Sequence, residues 1–163
     1  MKGHYIAHEY CISYGVGESD KGLPSFDKAL LDAGVGNYNL VKLSSTLPAD
    51  CKQIDVRKIS EHIKEGSLLP TAYATITSDK KGESIVSVIG VGHPKDKTKV
   101  GVIMEYSAKN KSVEEANKIL DSMIIEAFNE RGWELDFIQS AYATAIVKNE
   151  GEKCTTFACI AEW

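Results

Sequence analysis

The serine pair Ser44-Ser45 is the most chemically suggestive arrangement in this 163-residue chain. A serine hydroxyl lies beside the amide carbonyl that precedes it. The Ser45 Oγ can therefore attack the Ser44 carbonyl carbon, moving the acyl group from nitrogen to oxygen. Elimination from the resulting ester splits the chain. Residue 44 leaves as a carboxylate, and residue 45 becomes a dehydroalanine that water converts to a pyruvoyl cap and ammonia. The attack builds an oxyanion at the Ser44 carbonyl, so a preorganised donor such as the Asn39 amide would assist it. Rigid neighbours would hold the strained geometry. The expected products are residues 1–44 and 45–163 of a single domain spanning 1–163.

The local pattern suits such a site. Leu40, Val41 and Leu43 alternate with Asn39, Lys42 and Ser44, which reads as a short strand running straight into the serines. Pro48 then stops it, because proline cannot donate to a central ladder. Upstream, Gly34-Val35-Gly36-Asn37 has the look of a nucleotide-binding loop, but a helix precedes it and a strand follows, the reverse of that motif. The glycines instead suit a tight turn. That helix is expected from Pro24 or Ser25 to about Ala33, with Ser25 as its cap, a stripe of Phe26, Ala29, Leu30 and Ala33, and Gly34 as its end. Asp27 falls in its first turn, where a carboxylate favours the helix dipole. Asp32 reads as a solvated charge.

Strands are expected at Glu9–Val16, Gln53–Val56, Leu68–Thr77, Glu83–Val91, Val100–Ser107, Trp133–Val147 and Lys153–Ala161. A short helix or extended connection is expected at Arg57–Glu65. Short connections after residues 77 and 91 favour antiparallel pairing, and Asn149-Glu150-Gly151-Glu152 reads as a hairpin turn. The run Ile85, Val86, Val88, Ile89, Val91 suggests a strand buried on both faces. Ser112-Val113-Glu114-Glu115 fits a capping box that opens a long amphipathic helix closed by Gly132. Together these elements predict an α+β fold, a layered sandwich of antiparallel sheets with flanking helices.

Composition narrows the function classes. A formal charge of −4 offers nothing that would draw nucleic acid or an anionic membrane, and it mildly suits a cationic substrate. No apolar run approaches the roughly 18 to 20 residues that span a bilayer, and the N-terminus lacks a signal-peptide core, so a cytoplasmic location is expected. Cys11, Cys51, Cys154 and Cys159 are scattered, without metal-site or disulfide spacing. His4 and His8 have i, i+4 spacing but precede or enter a strand, where that spacing does not bring ligands together. No metal site is expected.

Several stretches in order carry a wider pattern: Phe26-Asp27-Lys28-Ala29-Leu30 through Gly34-Val35-Gly36-Asn37-Tyr38-Asn39-Leu40, Leu43-Ser44-Ser45-Thr46-Leu47-Pro48, Pro70-Thr71-Ala72-Tyr73, Pro94-Lys95-Asp96-Lys97, Ile103-Met104-Glu105-Tyr106 and Arg131-Gly132-Trp133-Glu134-Leu135. In this the chain resembles the pyruvoyl-dependent arginine decarboxylases. The resemblance implies an αββα sandwich assembled as homotrimers, or dimers of trimers, with active sites between neighbouring subunits. It implies cleavage at Ser44-Ser45, with Ser45 becoming a covalent pyruvoyl cofactor whose keto group captures the substrate amine and accepts electrons as carbon dioxide leaves. It assigns Asn39 to cleavage and pocket shape, Glu105 to the acid beside the cofactor, and Asp27 to the arginine pocket, where a carboxylate can meet a guanidinium bidentately. A departure is Ala49-Asp50 after Pro48, where a second proline is usual. Two alternatives stay open: the same chemistry on another amino acid, or an unprocessed, non-enzymatic trimeric module.

Overall fold

The computed structural model describes residues 5–44 and 46–163, so His4 and Ser45 lie outside the described residues. In chain order the elements are strand β1 (Glu9–Ser19), helix α1 (Gly22–Asp32), β2 (Asn39–Lys42), β3 (Thr46–Leu47), β4 (Lys52–Gln53), a 3₁₀ turn at Val56–Lys58 leading into α2 (Ile59–His62), β5 (Leu68–Ser78), β6 (Ser84–Pro94), β7 (Gly101–Lys109), α3 (Val113–Glu130), β8 (Leu135–Ile146) and β9 (Lys153–Glu162). They form two sheets. The first runs β2-β5-β9-β1-β4 and the second β3-β7-β6-β8. With α1 on the outside of the first sheet and α3 on the outside of the second, the molecule is the α+β sandwich expected.

Side-chain alternation explains the layering. Strand β9 is central in its sheet, and its two faces serve two cores. Phe157, Cys159 and Ala161 pack under α1 with Ala29, Ala33 and Val35. Ala158 and Ile160, on the opposite face, meet Ile89, Val91 and Ile103 of the second sheet. Strand β6 repeats the arrangement, with Val86 and Val88 under α3 beside Leu120, Ile124 and Phe128. Its near-continuous burial bears out the expectation of a strand covered on both faces.

Two polar pairs link the sheets across the sandwich, offsetting the cost of burying their groups. Ser87 Oγ meets Thr156 Oγ1 at 2.8 Å across the two sheets, and Tyr10 Oη donates to Gln139 Oε1 at 3.1 Å.

The seating of α1 depends on two positions without side chains. A Cβ on Gly17 would strike the Ser25 carbonyl, and one on Gly15 the Ala29 carbonyl. Gly34 ends the helix turn with φ at +78°, a conformation that glycine adopts without strain.

Several local expectations need correction. Ser25 does not cap α1. The N-cap position is Lys21, with no side-chain cap bond. The Ser25 hydroxyl instead donates to the Gly22 carbonyl and meets Thr155 Oγ1. Asp32 is not merely solvated, because its carboxylate accepts the Val16 N–H at 2.8 Å. The segment Asn149–Glu152 is not a hairpin turn: β8 pairs with β6, while β9 pairs with β1 and β5. The pairing is not wholly antiparallel either, since β1–β4 and β2–β5 are parallel. The capping box on α3 is present in full, with the Ser112 hydroxyl accepting from Glu115 N and the Glu115 carboxylate from Ser112 N.

No helix among the described residues is long and apolar enough to cross a membrane. Gly17→Val is expected to force α1 off β1 and cost about 1–3 kcal/mol of stability. Asp27→Asn, on the exposed face of the same helix, should leave the unfolding temperature unchanged; thermal unfolding of the two variants checks the pair.

Candidate active site

Strand β2 pairs in parallel with β5 from Asn39–Leu68 to Lys42–Thr71. The Leu43 N–H continues this ladder by donating to the Thr71 carbonyl at 3.0 Å. Three residues later the chain belongs to the other sheet, where Thr46 and Leu47 pair with Val102 and Gly101 of β7. Between Leu43 and Thr46 the chain therefore passes from one sheet to the other. Ser44 is exposed, whereas Leu47 is buried in the inter-sheet core.

Glu105 stands three residues along β7 from Val102, the partner of Thr46. It is half-buried and ion-paired with Lys42, Oε1 to Nζ at 3.0 Å. Lys42 also donates to the Tyr73 carbonyl at 2.5 Å and lies 4.1 Å from the Tyr73 ring centroid. One ammonium thus ties β2, β5 and β7 together two residues before Ser44. An ion pair, rather than an apolar pocket, surrounds Glu105 in the uncleaved chain.

Asn39 and Asp27 are not brought to the crossing within one protomer. The Asn39 side chain donates to the Gly66 carbonyl at 2.7 Å, at the start of β2. Five residues of strand separate it from Ser44, roughly 16 Å at the usual rise per residue. Asp27 is exposed on α1, in the outer layer.

A cavity of about 530 Å³ adjoins the crossing. Leu43 and Thr46, which bracket the serines, line it with Tyr5, Pro70, Val100 and Glu162. Glu162 is 4% exposed, and its Oε1 has no hydrogen-bond partner among the described residues. Burial pushes its carboxyl from the ordinary 4.5 up to about 7. The groups facing it, the Tyr5 phenol and the Cys51 thiol, are themselves raised, the thiol to about 11, chiefly by burial.

Sequence reasoning missed Lys42 and Glu162. Lys42 looked like one more polar residue of an alternating strand. Glu162 lies just beyond the expected end of β9, but it shares parity with Ala158 and Ile160, whose side chains face the second sheet. That parity was a readable signal of an inward-pointing acid.

The fold and site define an αββα sandwich with a serine pair at the crossing between its sheets, beside a cavity carrying one buried carboxyl. The family model described as pyruvoyl-dependent arginine decarboxylase matches residues 9–163. Curated relatives bear the same name. One from Methanocaldococcus jannaschii is 42% identical over 149 residues, covering 91% of this chain and 86% of the relative. One from Thermococcus sibiricus is 43% identical over 132 residues, covering 81% of each chain. One from Thermococcus kodakarensis is 41% identical over 139 residues and 85% of each. The chain belongs to the pyruvoyl-dependent arginine decarboxylase family.

The raised carboxyl carries a sign. In the folded chain Glu162 binds its proton up to about pH 7, in the unfolded chain only to about 4.5. Between those values the native state holds more protons, so its contribution to stability is present at low pH and lost as pH rises through 7. Glu162→Gln is expected to flatten this part of the stability–pH curve, measured by denaturant unfolding between pH 4 and 8.

Proposed function

We propose that this chain is a self-processing, pyruvoyl-dependent decarboxylase that converts L-arginine to agmatine and carbon dioxide. The observation that carries the reading is the placement of the serine pair at the sheet crossing, with Glu105 and the cavity beside it, in a chain of this family. The pyruvoyl group, derived from Ser45, supplies the electrophilic carbonyl that takes up electrons when carbon dioxide leaves.

The other roles belong to the chain's own side chains. Before cleavage, the β2–β5 and β3–β7 ladders hold the backbone on both sides of the scissile bond, which supports a strained attack geometry. Asn39 of a neighbouring protomer donates to the developing oxyanion and shapes the pocket. Separation of residues 1–44 from 45–163 frees the new end at Ser44, two residues from Lys42, so the Lys42–Glu105 pair can rearrange. Glu105 then delivers a proton to the carbon that has lost carbon dioxide. Asp27 of a neighbouring protomer meets the substrate guanidinium through two parallel hydrogen bonds. These assignments require a homotrimer, alone or doubled, with sites between subunits.

The decisive measurement is the intact mass of purified protein. It should resolve residues 1–44 and residues 45–163, the larger fragment blocked to Edman sequencing, and Ser45→Ala should stay whole and release no carbon dioxide. A wild-type chain that never splits would favour the non-enzymatic module. Glu105→Gln should cleave but lose about 10²–10⁴-fold in turnover, the usual contribution of a positioned acid. Asp27→Asn should cleave normally and raise KM for arginine. Faster release of carbon dioxide from histidine or aspartate than from arginine would overturn the substrate assignment.

A further inference from the structure

The Lys42–Glu105 ion pair joins the two sides of the proposed cut: Lys42 belongs to residues 1–44 and Glu105 to residues 45–163. Among the described residues no other cation pairs with Glu105. The Lys42 ammonium has a second attachment on β5, through the Tyr73 carbonyl and the face of the Tyr73 ring, which does not depend on Glu105. The Lys42 side chain is 47% exposed, which leaves it room to turn.

Cleavage creates a charge that the whole chain lacks. When the ester between residues 44 and 45 eliminates, the Cβ–Oγ bond of residue 45 breaks and its electron pair stays on oxygen. Residue 45 loses its Cα proton, and residue 44 keeps both oxygens as a terminal carboxylate. That carboxylate appears two residues beyond Lys42, about 6.6 Å along an extended strand. The extended ladder continues through Leu43, and Ser44 is exposed, so the new anion and the lysine lie on an open stretch of chain. The four-carbon stem of a lysine reaches that far.

We propose that Lys42 is a positioning residue that exchanges one carboxylate for another on maturation. It holds Glu105 while the chain is whole and the new terminal carboxylate of residue 44 once the chain is cut. The inference rests on the self-processing decarboxylase reading. An adjoining ammonium favours the ionised form of a carboxyl group and so hinders an acid that must donate a proton. The exchange lifts that hindrance from Glu105 only in molecules that have acquired the ketone. It also neutralises the anion that cleavage leaves beside the site.

Crystal structures of the uncleaved Ser45→Ala protein and of the mature wild-type protein test the exchange directly. In the variant, Lys42 Nζ should stay at hydrogen-bond distance from Glu105; in the mature protein it should sit at that distance from the carboxylate of residue 44 and no longer from Glu105. This comparison changes nothing at Lys42, so a folding defect in a Lys42 variant cannot obscure it. In kinetics, fully cleaved Lys42→Gln should lower kcat about tenfold with KM for arginine nearly unchanged, whereas Lys42→Arg, which keeps the charge, should retain most of the turnover. Lys42 still bound to Glu105 in the mature protein, or an unchanged kcat in Lys42→Gln, would each overturn the proposal. A wild-type chain that never splits overturns the exchange and the self-processing reading together. A chain that splits and releases carbon dioxide from arginine with Lys42 still on Glu105 overturns the exchange alone.

Discussion

The passage of the chain from one sheet to the other at Ser44-Ser45 is the constraint on which the rest of the structure depends. Leu43 is hydrogen-bonded to β5 of the first sheet, and Thr46 is registered against β7 of the second. Both ends of the crossing are anchored by ladders that run into buried cores. Under the proposed self-processing, the two sheets of the sandwich supply a fixed anchor on each side of the scissile bond.

The same architecture explains why the ends of the crossing are stiff. The β9 and β6 strands, central in their sheets, each bury both faces, one against a helix and one against the opposing sheet. Ile160 and Ile89 pack between the sheets in the same cluster as Leu47, the residue that follows Thr46. The Ser87–Thr156 hydroxyl contact and the Tyr10–Gln139 bond add directional links across the interface. Close packing of this kind resists small displacements, so the described ends of the crossing are held in place.

Much of this was legible in the sequence, and the failures have a common origin. The α3 capping box could be read because both of its bonds lie within four residues. The both-face burial of β6 could be read because its apolar run breaks the alternation expected of a half-exposed strand. The Asn149–Glu152 turn and the connection between β5 and β6 could not be assigned correctly, because turn chemistry specifies a reversal of direction but not which sheet receives the next strand. Ser25 failed for a related reason: a distant hydroxyl on Thr155 competes for the side chain that would otherwise cap the helix. Of the site, the serine pair and Glu105 were visible through residue type and the family resemblance. Lys42 was not, since its partners, Glu105 and Tyr73, lie on strands far apart in sequence.

Two charged side chains next to the crossing have opposite electrostatic situations, and the contrast bears on how such a site works. Glu105 is half-exposed and ion-paired with Lys42. Glu162 is buried and uncompensated among the described residues, so its charge is expensive, and its carboxyl moves up to about 7. Cleavage frees the backbone just beyond Lys42 but leaves β9, and with it Glu162, in the centre of its sheet. Under the proposed maturation the first carboxylate can therefore change partners, whereas the second keeps its surroundings and responds to pH.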